Sequence, residues 1–344
     1  MILSMSAKRI TPCLFIMLSV LTAVLFCVDL SVGAVSIPVA DVWAALTGGD
    51  CPDATAFIVR NIRLIKAVVA LLTGAALSVS GLQMQTLFRN PLAGPYVLGI
   101  SSGASLGVAL VVLAGMSSSV GIAGAAWVGA AAVLIVIASV GHRIKDIMVI
   151  LILGMMFSSG VGAVVQILQY LSEEESLKAF VIWTMGSLGD VTGTQLAVLA
   201  PAVVVGLILA VATIKPLNLL LFGEEYAVTM GLNLRRSRLL LFLSTTLLAG
   251  TVTAFCGPIG FIGLAMPHVA RMLMRDSDHR VLIPATALAG GAVLLLCDII
   301  SKLFTLPINA ITALLGIPVV VWVVLRNKCC LLYTSPSPRD STSS

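Results

Sequence analysis

Few residues in this chain are able to do chemistry, and most of them stand alone inside long apolar runs. Asp298 is read as the carboxylate lying well inside a predicted span, a position that makes an acid a candidate for function. Lys302 follows it at i,i+4, so pairing along one helix face offers both a structural role. His268 follows Pro267 with no second His or Cys at ligand spacing, which favours a packed or capped ring over a metal ligand. Gln83, Gln85, Gln166 and Gln169 complete the buried polar set, too sparse for a titratable relay. Gly99-Ile100-Ser101-Ser102-Gly103 has the formal spacing of a hydrolase nucleophile turn, with His268 as its base. That chemistry needs a strand-to-helix turn, whereas this motif borders an apolar helix. No G-x-x-x-x-G-K-[ST] loop occurs, so any nucleotide has to be bound by another chain. The seven cysteines form no C-x-x-C pair, and neither a metal site nor a disulfide framework follows. Arg60 and Arg63, three residues apart where a span begins, would share one side of a helical turn and could meet carboxylates there. The plainer role for such a pair is that of interfacial cations at a helix end.

The elements that position these residues are membrane helices. The chain is 59% hydrophobic and 10% charged, with a mean hydropathy of +1.11, far from the quarter charged expected of a soluble domain. Apolar runs place ten spans near 10–30, 64–82, 96–114, 119–140, 147–171, 195–214, 239–256, 261–274, 281–303 and 307–325. The first follows Lys8 and Arg9 and is longer than the core of a cleavable signal peptide, so it is expected to stay. With the amino terminus in the cytoplasm, Lys8, Arg9, Arg89, Arg143, Lys145, Lys215, Arg235, Arg236, Arg238, Arg271, Arg275, Arg280, Arg326 and Lys328 fall inside. Only Arg60, Arg63, Lys66, Lys178 and Lys302 fall outside, so both termini are expected in the cytoplasm. The net charge of +5 is that inside excess and implies no nucleic acid. Five plus five spans would give two halves of opposite topology, an inverted repeat. A break after the second span (Gly81 to Pro95) is echoed after the seventh by Gly257-Pro258 and Pro267.

Four stretches carry more specific information. Gly74-Ala75-Ala76-Leu77 runs through Gly81-Leu82-Gln83-Met84-Gln85 to Arg89-Asn90-Pro91-Leu92-Ala93-Gly94-Pro95 and Leu98-Gly99-Ile100-Ser101-Ser102-Gly103-Ala104. Trp183 to Leu188, Gly257 to Arg271 and Leu306 to Pro318 follow in order. Together they resemble the FecCD family of permeases for ferric siderophores, haem and cobalamin, over most of the chain. By itself, the spacing of Gly99, Gly103 and Gly107 puts three glycines on one helix face where backbones can approach closely, and Asn90-Pro91 breaks the helix.

The resemblance implies an all-α polytopic protein of about ten transmembrane helices, a type II ABC importer permease in the bacterial inner membrane. It would translocate an iron chelate, haem or cobalamin by alternating access. It implies a second permease copy or close paralogue, two ATP-binding subunits that hold ATP and Mg, and a periplasmic or lipid-anchored substrate-binding protein; this chain would bind no cofactor and catalyse no reaction. Path and packing residues would be Gln83, Gln85, Asn90, Pro91, Gly99, Ser101, Ser102, Gly103 and Gly107. Arg60, Arg63 and Lys302 would receive acidic residues of the binding protein. Ile62 stands where the family's R-x-P-R pattern has Pro, and Lys302 where it has Arg, exchanging a bidentate fork for a point charge. Residues 223–236 read as two short helices joined at Gly231, with Gly223, Glu224, Glu225, Ala227, Met230, Gly231 and Leu232 coupling to the ATPase. A helix lying flat on lipid is the alternative, against which Glu224 and Glu225 speak. An ATP-independent secondary transporter is the rival reading of the whole chain. Residues 1–328 form the permease domain; 329–344, rich in Ser and Pro, are expected to be disordered and look foreign to the family, as a read-through would.

Overall fold

The computed structural model describes residues 2–332 apart from 34, 114–118, 142, 143 and 145. Every regular element among the described residues is helical. In chain order they are α1 (Ile2–Ser31), α2 (Val39–Thr47), α3 (Asp53–Ile58), a π-helical turn (Val59–Arg63), α4 (Leu64–Leu87), α5 (Ile100–Val112), α6 (Ser119–Gly141), α7 (Ile147–Leu171) and α8 (Glu174–Thr184). There follow α9 (Gly193–Ala212), α10 (Ile214–Leu220), α11 (Glu224–Thr229), α12 (Leu234–Thr245), a second π turn (Thr246–Gly250), α13 (Thr251–Cys256), α14 (Ile262–Met274), α15 (His279–Phe304) and α16 (Ile308–Leu332).

Seven described helices are long and apolar enough to cross a membrane: Pro12–Ser31, Asp53–Leu87, Gly121–Val140, Ile147–Leu171, Gly193–Ala212, Leu234–Cys256 and His279–Phe304. Three shorter apolar helices, Ile100–Val112, Ile262–Met274 and Ile308–Val323, occupy the other expected positions. The third begins later than its hydropathy suggests, because Gly99 at φ 81° turns the chain before Ile100. The helix at the carboxyl end runs on through Leu332, so residues 329–332 are helical where disorder was expected. The remainder of the expected tail, 333–344, lies outside the described residues, as do Arg143 and Lys145.

Helix α4 is the axis of the molecule. Its residues from Ala76 to Leu87 are all buried, among them Ser78, Ser80, Gln83 and Gln85, and it packs against α9, α12, α14 and α15. Small residues make this density possible. A Cβ on Gly81 would overlap the carbonyl of Gly263 in α14, and one on Gly74 the carbonyl of Gly290 in α15. Without a hydrophobic drive between helices in lipid, such close backbone approach supplies the dispersion contact that holds them. Around this centre α6, α7 and α9 turn Val128, Ile135, Ile152, Met156, Val205 and Ile208 outward, as lipid-facing helices do.

Candidate functional site

At the end of the bundle where α1 and α15 finish and α4 begins, five ionisable groups converge. Lys302 Nζ lies 2.8 Å from Asp29 Oδ1 and 2.9 Å from Asp298 Oδ2, and Lys66 Nζ lies 3.1 Å from Asp298 Oδ1. Asp29 and Asp298 are 0% and 1% exposed, Lys302 8%. Arg63 donates to the carbonyls of Leu30 and Ser31, each at 2.9 Å, and also to Val35 O. The expected pairing of Asp298 with Lys302 is therefore present, inside a larger network that joins α1, α4 and α15. Asp29, in the last turn of α1, and Lys66 were not singled out by sequence, because their partners are far away along the chain.

Arg60 and Arg63 do not point to one side. Arg60 is exposed, with Nε donating to Ala45 O at 2.5 Å, while Arg63 is buried. Both lie in the π turn Val59–Arg63, whose i→i+5 bonding rotates positions three apart away from the shared face of an α-helix. Lys302 is likewise engaged within the chain rather than presented at its surface.

The central glycines and glutamines serve packing to different degrees. Gly103 meets Gly129 and Gly107 meets Ala125, so the small face of α5 is covered by α6. Gly99 caps α5 beside Ser158 of α7. Gln83 is fully buried: its Nε2 donates to Thr213 (3.2 Å) and Ser244 (3.1 Å), and its Oε1 accepts from Ser244 and Thr245, both at 3.2 Å. That satisfied node ties α4 to α12 and to the Thr213 junction between α9 and α10. Ser101 and Ser102 are half-buried in the first turn of α5. His268 Nε2 instead lies 2.8 Å from Pro91 O, so it is engaged away from Ser101, in all-helical surroundings. Asn90 accepts from Leu92 N at 2.9 Å, an Asx turn that shapes the break.

At the opposite end, about 30 Å of helix from Lys66, Gly223 (φ 107°) turns the chain from α10 into α11, and Gly231 (φ 83°) separates α11 from α12. Of the two short helices expected, α11 is one, with six residues; the second, from Leu234, is instead the start of the long helix Leu234–Cys256. Both oxygens of Glu224 accept from Arg238 Nη2, at 2.6 and 2.8 Å, pinning α11 onto α12. Ala227 is buried and Leu232 half-buried, so neither faces outward. The apolar surface consists of Phe222, Tyr226, Val228 and Met230, with the Phe222 and Tyr226 rings 5.3 Å apart. Glu225 is exposed beside them. Phe222 and Tyr226 escaped the sequence reading because helical spacing was traced through Ala227, Met230 and Leu234, of which only Met230 is exposed. Among the described residues no cluster of three His, Cys, Asp or Glu could hold a metal ion.

Comparison with known proteins bears on these surfaces. The family model described as "FecCD transport family" matches residues 21–326. The hemin transport system permease protein HmuU of Yersinia pestis is 36% identical over 337 residues, covering 93% of this chain and 98% of that one. The vitamin B12 import system permease protein BtuC of Salmonella typhi is 38% identical over 275 residues, covering 78% and 84%. A solved structure of an inward-facing, metal-chelate type ABC transporter superposes with a TM-score of 0.81 at 29% identity, covering 92% of this chain and 99% of that one.

Proposed function

This chain belongs to the FecCD transport family and is the membrane permease of an ABC importer for haem, cobalamin or iron chelates, and from that premise we propose how its surfaces divide the work. Two permeases, identical or closely related, enclose a central path in the bacterial inner membrane. Each crosses ten times, with both termini in the cytoplasm and two inverted five-helix halves. The short helices α5 and α14 support this arrangement: each has 13 residues, each follows a Pro-containing break, and each stands third in its half. ATP and Mg belong to two partner subunits, which meet the permease at residues 223–236. A binding protein delivers substrate at the opposite end. Arg60 makes the outward contact there, while Arg63 and Lys302 hold the ends of α1 and α15 beneath it.

The observation that carries this division is the apolar surface of Phe222, Tyr226, Val228 and Met230 outside the long spans. Exposed apolar groups next to a charged face, away from lipid, mark a protein contact. Rigid-body rocking of the halves would then pass from α11 through the Glu224–Arg238 pair into α12.

The test is ATP hydrolysis by the cognate ATPase with this permease in lipid nanodiscs, with and without binding protein, for wild type and Arg60→Glu. Stimulation by binding protein that the charge reversal removes supports both surfaces. A permease that neither binds the ATPase nor changes its rate refutes the division and moves an ATP-independent transporter forward.

A further inference from the structure

Beside the turn into α11 lies a cavity of about 230 Å³, lined by Gln85, Thr86, Arg89, Pro91, Leu221 and Arg271. Two guanidinium groups border it and no carboxylate does. Neither Arg89 nor Arg271 takes part in an ion pair among the described residues. The nearby acid Glu224 is already held by Arg238. Arg271 is half-buried and donates from Nη1 to Gln85 Oε1 at 2.6 Å, and Gln85 is fixed in turn by donating from Nε2 to Leu264 O at 3.0 Å. The glutamine oxygen thus orients one guanidinium without neutralising it.

Arg89 is exposed and adopts φ 47°, a conformation that costs a non-glycine residue free energy. Its Nη1 lies against the hinge of α11, where a Cβ on Gly223 would come within 3.6 Å. Two like charges facing one partly enclosed space repel, and the half-buried Arg271 is left there without a counter-charge. A counter-charge from outside would relieve both. The volume falls below the roughly 300 Å³ at which pockets begin to suit drug-sized ligands, and a single carboxylate fits it. Guanidinium forks are matched to carboxylates in geometry as well as in charge.

We propose that this cavity seats one Asp or Glu side chain of the ATP-binding partner subunit, held by Arg89 and Arg271. The inference rests on the reading of residues 223–236 as the ATPase-facing surface. Continuity of the surface selects this occupant over a free anion. Leu221 forms a wall of the cavity and leads directly into Phe222, so a protein covering the apolar face of α11 also covers the cavity mouth. The seat would add a charge-specific contact at the margin of an apolar one, fixing the register in which the ATPase docks.

The experiment measures the affinity of the ATPase subunit for the permease in nanodiscs. Variants are Arg89→Glu, Arg89→Lys and, as a control outside the cavity, the exposed Lys215→Glu. The Arg89 side chain makes no hydrogen bond or ion pair among the described residues, so its variants should give the same gel-filtration peak as wild type. Arg89→Glu is expected to weaken binding about tenfold or more and Arg89→Lys only partly, while Lys215→Glu stays within about twofold. Millimolar inorganic phosphate should compete no better than chloride at matched ionic strength. Equal affinity of wild type and Arg89→Glu overturns the seat while leaving the coupling surface intact. Equal loss in Lys215→Glu overturns it in favour of diffuse attraction, and specific competition by phosphate in favour of a free-anion site. No ATPase binding by wild type would instead refute the coupling surface, and the seat with it.

Discussion

Lys302 lies between two carboxylates that are almost wholly shielded from solvent, and its removal would leave Asp29 and Asp298 facing each other with only Lys66, paired to Asp298, and Arg63, near Asp29, as counter-charges. Breaking a buried pair on one side typically costs about 3–5 kcal/mol, far more than an exposed ion pair is worth. Lys302→Met should therefore lower stability by about 3 kcal/mol, seen as a marked fall in the thermal denaturation midpoint of the detergent-solubilised protein. Lys302→Arg keeps the charge and should recover most of it. An unchanged midpoint in Lys302→Met would return this lysine to a purely external docking role. The sequence showed half of this arrangement: Asp298 and Lys302 sit at helical spacing and their pairing could be read directly. Asp29 and Lys66 could not be placed with them, because burial of an ion depends on which helix ends meet, and that is set by contacts hundreds of residues apart.

Helices in this molecule are held by shape at their faces and by polar caps at their ends. The α4–α14 contact is the more sensitive to volume, since Gly81 leaves no space for a side chain against Gly263. Gly81→Val should push the two helices apart, and the variant is expected to lose its monodisperse gel-filtration peak and become sensitive to protease; a normal peak would show that α14 can shift freely. At the start of α15, Asp278 accepts from Arg280 N at 2.9 Å and from Asn218 Nδ2 at 2.7 Å. These bonds, the backbone one foremost, hold its carboxyl below the usual carboxylate range. A lowered acid stabilises the fold above its unfolded pKa and ceases to do so as pH falls through the folded one. Asp278→Ala should thus cost about 1 kcal/mol at neutral pH, and the gap to wild type should close as pH drops below about 4; thermal midpoints across that range measure it. At this scale most of the fold was legible, because a long apolar run between charged breaks has one plausible conformation in lipid. The π turn at Val59–Arg63 was not. Nothing in Val-Arg-Asn-Ile-Arg distinguishes i→i+5 from i→i+4 bonding, yet that choice separates Arg60 from Arg63 and decides which of them is available outside.

Across the whole molecule the charges are sorted by end. Arg89, Arg271 and the α11 surface lie at one end of α4, while Lys66, Arg63 and the carboxylates of α1 and α15 lie at the other. The excess of Lys and Arg argues for placing the first end in the cytoplasm, and the proposed ATPase contact at residues 223–236 would need the same side. The exposed acidic residues Glu173 to Glu175, at the start of α8, should then face outward. Single cysteines placed at Glu175 and Glu225 in a background freed of the native cysteines would report this directly. Both positions are solvent-exposed and lie outside the long apolar helices, so a membrane-impermeant maleimide should react with either when it has access. In intact spheroplasts Glu175→Cys should label and Glu225→Cys should not; in inside-out vesicles the pattern should reverse. Labelling of both from one side would require an even number of crossings between α8 and α11. The only helix there long enough to span is α9, so it would have to re-enter rather than cross or the count of ten would fail, and with it the inverted pairing of α5 and α14.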